Sequence, residues 1–427
     1  MYKKQSFMLI AIVLTGLYLV GCGQRPSAPP IPSQNAQSTT TSEGTTKTQS
    51  NPSVVNVFVE NSGSMYGYVK GVTEFEQAVY SYISDIKINS NVCESMNLFY
   101  INSKKIPQPD NIEDFIQKLE PDNFKLKGGN MQTTDLSNII GDVIKDQQEN
   151  EINLLVSDCV FSPGRNKNAH EYLVNQQIGI KRHLAEKLKE NPDFAVIIYQ
   201  LKSQFEGRYY NCFDEPVNIK AQRPFYIIIF GDRSRLKMLT TEVPIYRIQS
   251  SGIQNSYCVS NSTNQPEYGI LVTPKIGSFK PAPNDPKHSI LNAKIDKRNP
   301  ISPFTLSVGV NYHDFLLDDD YICNEDNYTC NNKAYEIDID KNKGSFSSYT
   351  HIVKLSLIGN IISRGRIDIT LKKQSPTWAE DMTDEDGKDI NAGDAINKTF
   401  GLKYMINGIF DAYSKDADYL TISINIK

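Results

Sequence analysis

Two textures of apolar and polar positions succeed one another along the chain. From Val54 to Lys237, apolar runs of strand length alternate with stretches of helical period. Strands are predicted at Val54–Val59, Asn97–Ile101, Ile152–Ser157, Phe194–Leu201 and Phe225–Phe230. Several of these runs are apolar at successive positions, which marks strands buried on both faces. Helices are predicted at Thr73–Ile86, Ile112–Leu119, Leu136–Gln148 and Ala169–Asn191; in the third, Leu136, Ile139, Ile140, Val143 and Ile144 share one face. Alternation of this kind predicts an α/β fold with a doubly wound, mostly parallel sheet covered by helices on both sides. One segment breaks the rhythm. Phe205 to Tyr210, followed by Pro216, has no helical period and predicts a strand extension and hairpin. Its aromatic and arginine content suits either a contact surface or a cover for the sheet edge.

Beyond Pro244 the texture changes. Phe304–Asn311, Tyr335–Asp340, His351–Ile358, Arg366–Lys372 and Tyr419–Ile426 alternate with period two between clusters of Asn, Asp, Gly and Pro. They predict a mainly antiparallel β-sandwich. One helical pattern interrupts it: Phe400, Tyr404, Met405, Ile409 and Tyr413 share a face expected to pack on that sheet. The expected organisation is therefore an α/β domain over residues 53–242 and a β-rich domain over residues 243–427.

The first 52 residues belong to neither. Lys3 and Lys4 precede an apolar run from Phe7 to Val20, which is short for a membrane span and suits a secretory leader. It ends in Leu19-Val20-Gly21-Cys22, which resembles the bacterial lipobox. The resemblance implies cleavage after Gly21, so that residues 1–21 form a lipoprotein signal peptide and Cys22 carries lipid. That places the mature chain in the bacterial cell envelope, with the outer membrane as the expected address. The alternatives are an ordinary signal peptide leaving a free thiol, or an uncleaved anchor. Residues 22–52 are rich in Pro, Ser, Thr and Gln and hold almost no large apolar side chain. They cannot bury enough surface to offset ordering and are expected to form a flexible tether, with an r.m.s. reach on the order of 30 Å.

Composition narrows the chemistry. A net charge of −4 offers no basic field for nucleic acid. Apart from Cys22, six cysteines remain, an even number that permits disulfides in an exported protein. Cys323 and Cys330 flank Asn/Asp-rich turn residues and are the candidate pair. No Cys-x-x-Cys occurs and the five histidines are scattered, which argues against zinc. The acidic run Glu336, Asp338, Asp340 alternates with Ile337 and Ile339 and predicts the wet face of a strand rather than a calcium loop, because Lys343 stands where an EF-hand needs glycine. Cys159 lacks a local base, so a buried inert thiol or half-cystine is expected there.

Candidate binding chemistry lies where the apolar strands end. Val54–Val59 stops abruptly at Glu60-Asn61-Ser62-Gly63-Ser64-Met65. In open α/β sheets, ligands sit at this C-terminal edge. A carboxylate and two hydroxyls supply the oxygen donors that hard cations prefer. A second buried strand, Leu154 to Ser157, ends in Asp158, and Gln132-Thr133-Thr134-Asp135 precedes the amphipathic helix at Leu136. Together these segments resemble the von Willebrand factor type A domain, over roughly residues 53–242. Glu60, Ser62 and Ser64 match its Asp-x-Ser-x-Ser signature, Thr134 its threonine and Asp158 its aspartate. The resemblance implies a metal-ion-dependent adhesion site for Mg²⁺, or for Mn²⁺ or Ca²⁺. It departs from the family at Glu60, whose extra methylene displaces the carboxylate at an ion that demands near-ideal octahedral geometry.

The function this implies is a membrane-anchored protein-binding module. The metal would take an acidic side chain of a partner protein at its open position. It is not expected to be an enzyme, since the set lacks a histidine or lysine base. Two alternatives stand beside it: a metal-free structural component with a degenerate site, and, less favoured, a metal-assisted envelope hydrolase.

Overall fold

The structure, a computed structural model, describes residues 51–108, 111–126, 128–129, 135–165, 167–248, 252–261, 265–344 and 348–427. The leader, Cys22, the tether up to residue 50, and Thr134 lie outside the described residues. Among the described residues, no helix is long and apolar enough to cross a membrane.

Ser50–Lys427 forms one compact unit. Its first half runs β1 (Ser53–Glu60), α1 (Glu74–Ile88), β2 (Cys93–Ile101), β3 (Lys105–Gln108), α2 (Ile112–Gln117), α3 (Pro121–Leu126), α4 (Leu136–Ile144), β4 (Glu151–Ser157), α5 (Ala169–Glu190), β5 (Phe194–Tyr210), β6 (Pro216–Asp232) and α6 (Arg233–Glu242). With β7 (Asn255–Ser260) these strands build a seven-stranded sheet in the order β3-β2-β1-β4-β6-β5-β7. The apolar run of β1 suits an interior place in the sheet, where it lies parallel to both β2 and β4. Val55, Val57 and Val59 face one core with Phe75, Val79 and Ile83 of α1. Phe58 faces the other, with Ile139, Ile140 and Val143 of α4. Asn56 interrupts the run and is satisfied by a ladder of amides that runs from exposed Asn97 to buried Asn153. Asn97 Nδ2 donates to Asn56 Oδ1 at 2.8 Å, and Asn56 Nδ2 donates to Asn153 Oδ1 at 2.8 Å. The ladder ties the three central strands in register at the cost of no unpaired polar group.

Outside these three strands the pairing is antiparallel. For β4, β5 and β6 the predicted hairpin is the reason. Because β5 and β6 are joined directly, without a crossover helix, β6 inserts between β4 and β5 and runs against both. The two strands pair along all 17 residues of each and extend well past the end of β4. On the extension Phe205 and Tyr209 are buried, while Arg208 is exposed and Tyr210 half-buried; β7 pairs with β5 only over Ala195–Gln200, before the extension begins.

The second half holds β8 (Tyr268–Ile276), β9 (Ser278–Ala282), β10 (Asp285–Lys294), β11 (Thr305–Val310), α7 (Asp319–Ile322), β12 (Tyr328–Cys330), β13 (Tyr335–Lys341), β14 (His351–Leu357) and β15 (Gly365–Lys372). It closes with α8 (Trp378–Asp381), β16 (Thr383–Asp384), β17 (Thr399–Phe400), α9 (Leu402–Tyr413) and β18 (Asp418–Ile426). Two sheets, β12-β15-β18-β10-β9 and β13-β14-β11-β8, enclose one core of inward residues such as Leu306, Val308, Val353, Ile369 and Ile424. All their pairings are antiparallel except a short parallel contact of β10 with β18. Asp338 and Asp340 lie exposed on β13, and Lys354 of the neighbouring β14 bridges both, as the alternation predicts.

Two expectations require correction. The apolar face of α9 does not cover the sandwich. Met405, Ile406 and Ile409 pack with Leu173, Ile180 and Leu184 of α5 on the α/β half. The close approach is made at Gly408, where a Cβ would stand 2.7 Å from Gln177 O. Nor are Cys323 and Cys330 bridged. Both thiols are free; Cys323 caps the end of α7, while Cys330 is held in β12 with its Sγ donating to Asn332 O at 3.5 Å.

Candidate functional site

β1 and β4 are adjacent and parallel, with Val59 opposite Val156, so Glu60 and Ser157 leave the sheet side by side. Beyond β1 the chain turns through Asn61 and Ser62 into the 3-10 turn Gly63–Gly67. Beyond β4 it kinks at Cys159, whose φ of 54° is unusual for a residue with a side chain. These two exits bring Glu60, Ser62, Ser64 and Asp158 to one end of the sheet. Thr134, the fifth residue of the predicted set, lies outside the described residues.

The four side chains fall into two hydrogen-bonded groups. Glu60 Oε2 accepts a hydrogen bond from Ser157 Oγ, which in turn accepts from the Cys159 N–H at 2.8 Å. Ser62 Oγ and Ser64 Oγ are 2.9 Å apart, and the Ser64 hydroxyl bonds the Asp158 carboxylate. Val160 N donates to Asp158 Oδ1 at 3.1 Å, closing an Asx-type turn. Glu60, Ser62 and Asp158 are 0%, 3% and 2% exposed, whereas Ser64 is partly open to solvent. Burial pushes the Asp158 carboxyl above the usual carboxylate range, against the pull of Val160 N–H, Ser64 and Arg223. The Cys159 thiol is held well above its ordinary value by burial, reinforced by Glu60 and Asp158, which makes it a poor nucleophile.

Arg223 is the residue that sequence reasoning missed. It stands in the polar stretch Lys220 to Arg223 of the hairpin extension, which reads as a wet strand. In the fold it is only 1% exposed. Its Nη1 donates to the carbonyls of Ala395, Ile396 and Lys398 at 3.3, 2.9 and 2.9 Å. The guanidinium lies over the Tyr209 ring at 4.9 Å and draws on Asp158 electrostatically. Tyr68, just after the 3-10 turn, donates to Pro224 O at 2.6 Å, and Tyr226 OH meets Thr399 Oγ1 at 2.9 Å. The hairpin thus joins the serine loop to the 395–399 segment. No signal short of tertiary pairing announces this, because its partners are carbonyls more than 170 residues away.

Ser62, Ser64 and Asp158 offer oxygen donors of the kind a hard cation takes, while among the described residues no group of three or more His, Cys, Asp and Glu side chains is placed to hold a metal ion. Octahedral Mg²⁺ with bonds of about 2.0–2.1 Å spaces adjacent ligand oxygens about 2.9 Å apart, the separation already held by Ser62 Oγ and Ser64 Oγ. Asp158 adds a buried carboxylate, with Val160 N–H, Ser64 and Arg223 favouring its charged form against the cost of burial. Glu60 reaches Ser157, so its longer arm directs the carboxylate onto a neighbouring strand end. No family model, curated protein or solved structure matches the chain.

Proposed function

We propose that the chain is a non-catalytic protein-binding module, tethered to the bacterial envelope through Cys22, whose strand-end site takes a divalent cation. Ser62 Oγ and Ser64 Oγ would bind the ion directly, Asp158 would supply charge directly or through water, and Glu60 would act through Ser157. The cation would then present a vacant coordination position on the Ser64 side to a carboxylate of the partner. The observation supporting this reading is the spacing of the two hydroxyls beside a buried carboxylate that the fold leaves costly to ionise. Bringing a cation to such a group offsets its desolvation.

A second reading has its own observation. Arg223 already places a buried guanidinium near Asp158, which supports a metal-free structural site in which the hairpin replaces the ion. Pull-down from envelope extracts separates the two. Under the first, Mg²⁺ is required, and capture is lost both in chelator and in the Ser62→Ala/Ser64→Ala double variant. Capture that persists in chelator supports the second.

A further inference from the structure

A cleft of about 480 Å³ opens where β7 meets the α7 region and the segment Gln374–Trp378. It is remote in composition from the strand-end site and owes nothing to it. We propose that this cleft binds a neutral carbohydrate, a mono- or disaccharide unit seated against Trp378. Its volume lies in the range of about 300–1,000 Å³ typical of small-ligand sites.

The lining argues for the ligand class. Five carboxamide residues line it, Gln254, Asn255, Asn324, Asn327 and Gln374, each with one amide atom already hydrogen-bonded within the chain and the rest of its donor and acceptor capacity left over. An amide donates and accepts at once, which matches sugar hydroxyls, themselves donors and acceptors. Among the described residues no Lys, Arg or His lines the cleft, so phosphates, sulfates and free carboxylates have no counter-charge. Two acids line it as well, Asp318 and Asp320, which further disfavours an anion. The Asp318 carboxyl is bonded by Ser256 Oγ at 2.6 Å and approached by Cys258 Sγ at 3.7 Å.

Trp378 supplies the apolar surface. Its Nε1 donates to Ser256 O at 3.0 Å, which fixes the plane of the ring. The side chain is only half-buried: it packs partly on the core shared with Ala379 and Met405, and partly lines the cleft. A rigid indole held by its own N–H presents apolar area at low entropic cost, and the C–H faces of sugars are the complementary surface. Tyr321 is likewise anchored, donating to Lys372 O at 2.6 Å and accepting from Gln374 N at 3.0 Å. The walls are therefore held in place before any ligand arrives, which lowers the cost of binding.

Trp378 is the chain's sole tryptophan, so indole emission reports on this cleft alone. The full chain is titrated with maltose, cellobiose, N,N′-diacetylchitobiose and, as a cationic control, spermidine. At least one disaccharide should change the emission saturably, with calorimetry giving the same midpoint. Gln374 is exposed and its loss should leave the melting temperature unchanged, yet Gln374→Ala should weaken that sugar by up to about tenfold. Trp378→Ala, followed by calorimetry, should abolish binding. The proposal is overturned if no sugar alters emission or heat, if spermidine alone binds, or if sugar binding survives both substitutions unchanged.

Discussion

Arg223 shows how much a single side chain carries here. A guanidinium removed from water is tolerable only when its donors are met, and three carbonyls of the 395–398 segment with the Tyr209 ring meet them. Arg223→Leu would leave those carbonyls without the guanidinium donor and Asp158 without the charge that favours its ionised form. The expected loss is about 3–5 kcal/mol, the range for breaking a buried charged network, read from urea denaturation. A change below about 1 kcal/mol would show that the contacts are incidental. The contrast with the serine loop is instructive. Ser62, Ser64 and Asp158 were legible in the sequence because each closes an apolar run, and the end of a buried strand has a predictable place in the fold. Arg223 was not legible, because polar alternation describes a strand's local exposure and is silent about what the rest of the chain lays over it.

At the scale of elements, the β5–β6 hairpin governs the site. Its existence could be read from the missing helical period between the two strands, but its insertion beside β4 could not. Pairing order is decided by long-range contacts such as those of Ser157 with Tyr226. The hairpin clasps the 3-10 turn that carries Ser64, through two glycines in close apposition. A Cβ at Gly207 would lie 2.9 Å from Gly67 Cα, and one at Gly67 would lie 2.4 Å from the Phe205 ring. At Gly207 the contact is backbone against backbone, which leaves no side chain to swing aside. Gly207→Ala should therefore cost about 1–3 kcal/mol, as overpacking does, and should weaken cation binding by displacing the turn. A variant with parent-like stability and affinity would mean that the clasp is not tight.

Across the whole molecule, the two textures of the sequence correspond to two sets of sheets, but the chain crosses between them more often than the texture reveals. β7 completes the first sheet, and α9 returns to α5. The face of α9 was readable from its period; its partner was not, since an apolar stripe specifies burial and not the surface that provides it. Met405 and Ile409 are fully buried against α5 residues. Met405→Ala and Ile409→Ala should each destabilise the α/β half by about 2–5 kcal/mol. Hydrogen exchange should detect this as faster exchange in α5 as well as in α9. Loss of protection confined to residues 402–413 would contradict that coupling.

The central claim concerns the cation. Isothermal titration of residues 51–427 with Mg²⁺, Mn²⁺ and Ca²⁺ tests it without reference to any partner. The account predicts saturable binding of one ion per chain, abolished in the Ser62→Ala/Ser64→Ala variant while its melting curve stays that of a folded protein. It also predicts retained or tighter Mg²⁺ binding in Glu60→Asp, whose shorter arm draws the carboxylate back from Ser157. No heat of binding with any of the three ions, in a parent chain shown to be folded, would contradict it and favour the reading in which Arg223 takes the ion's place.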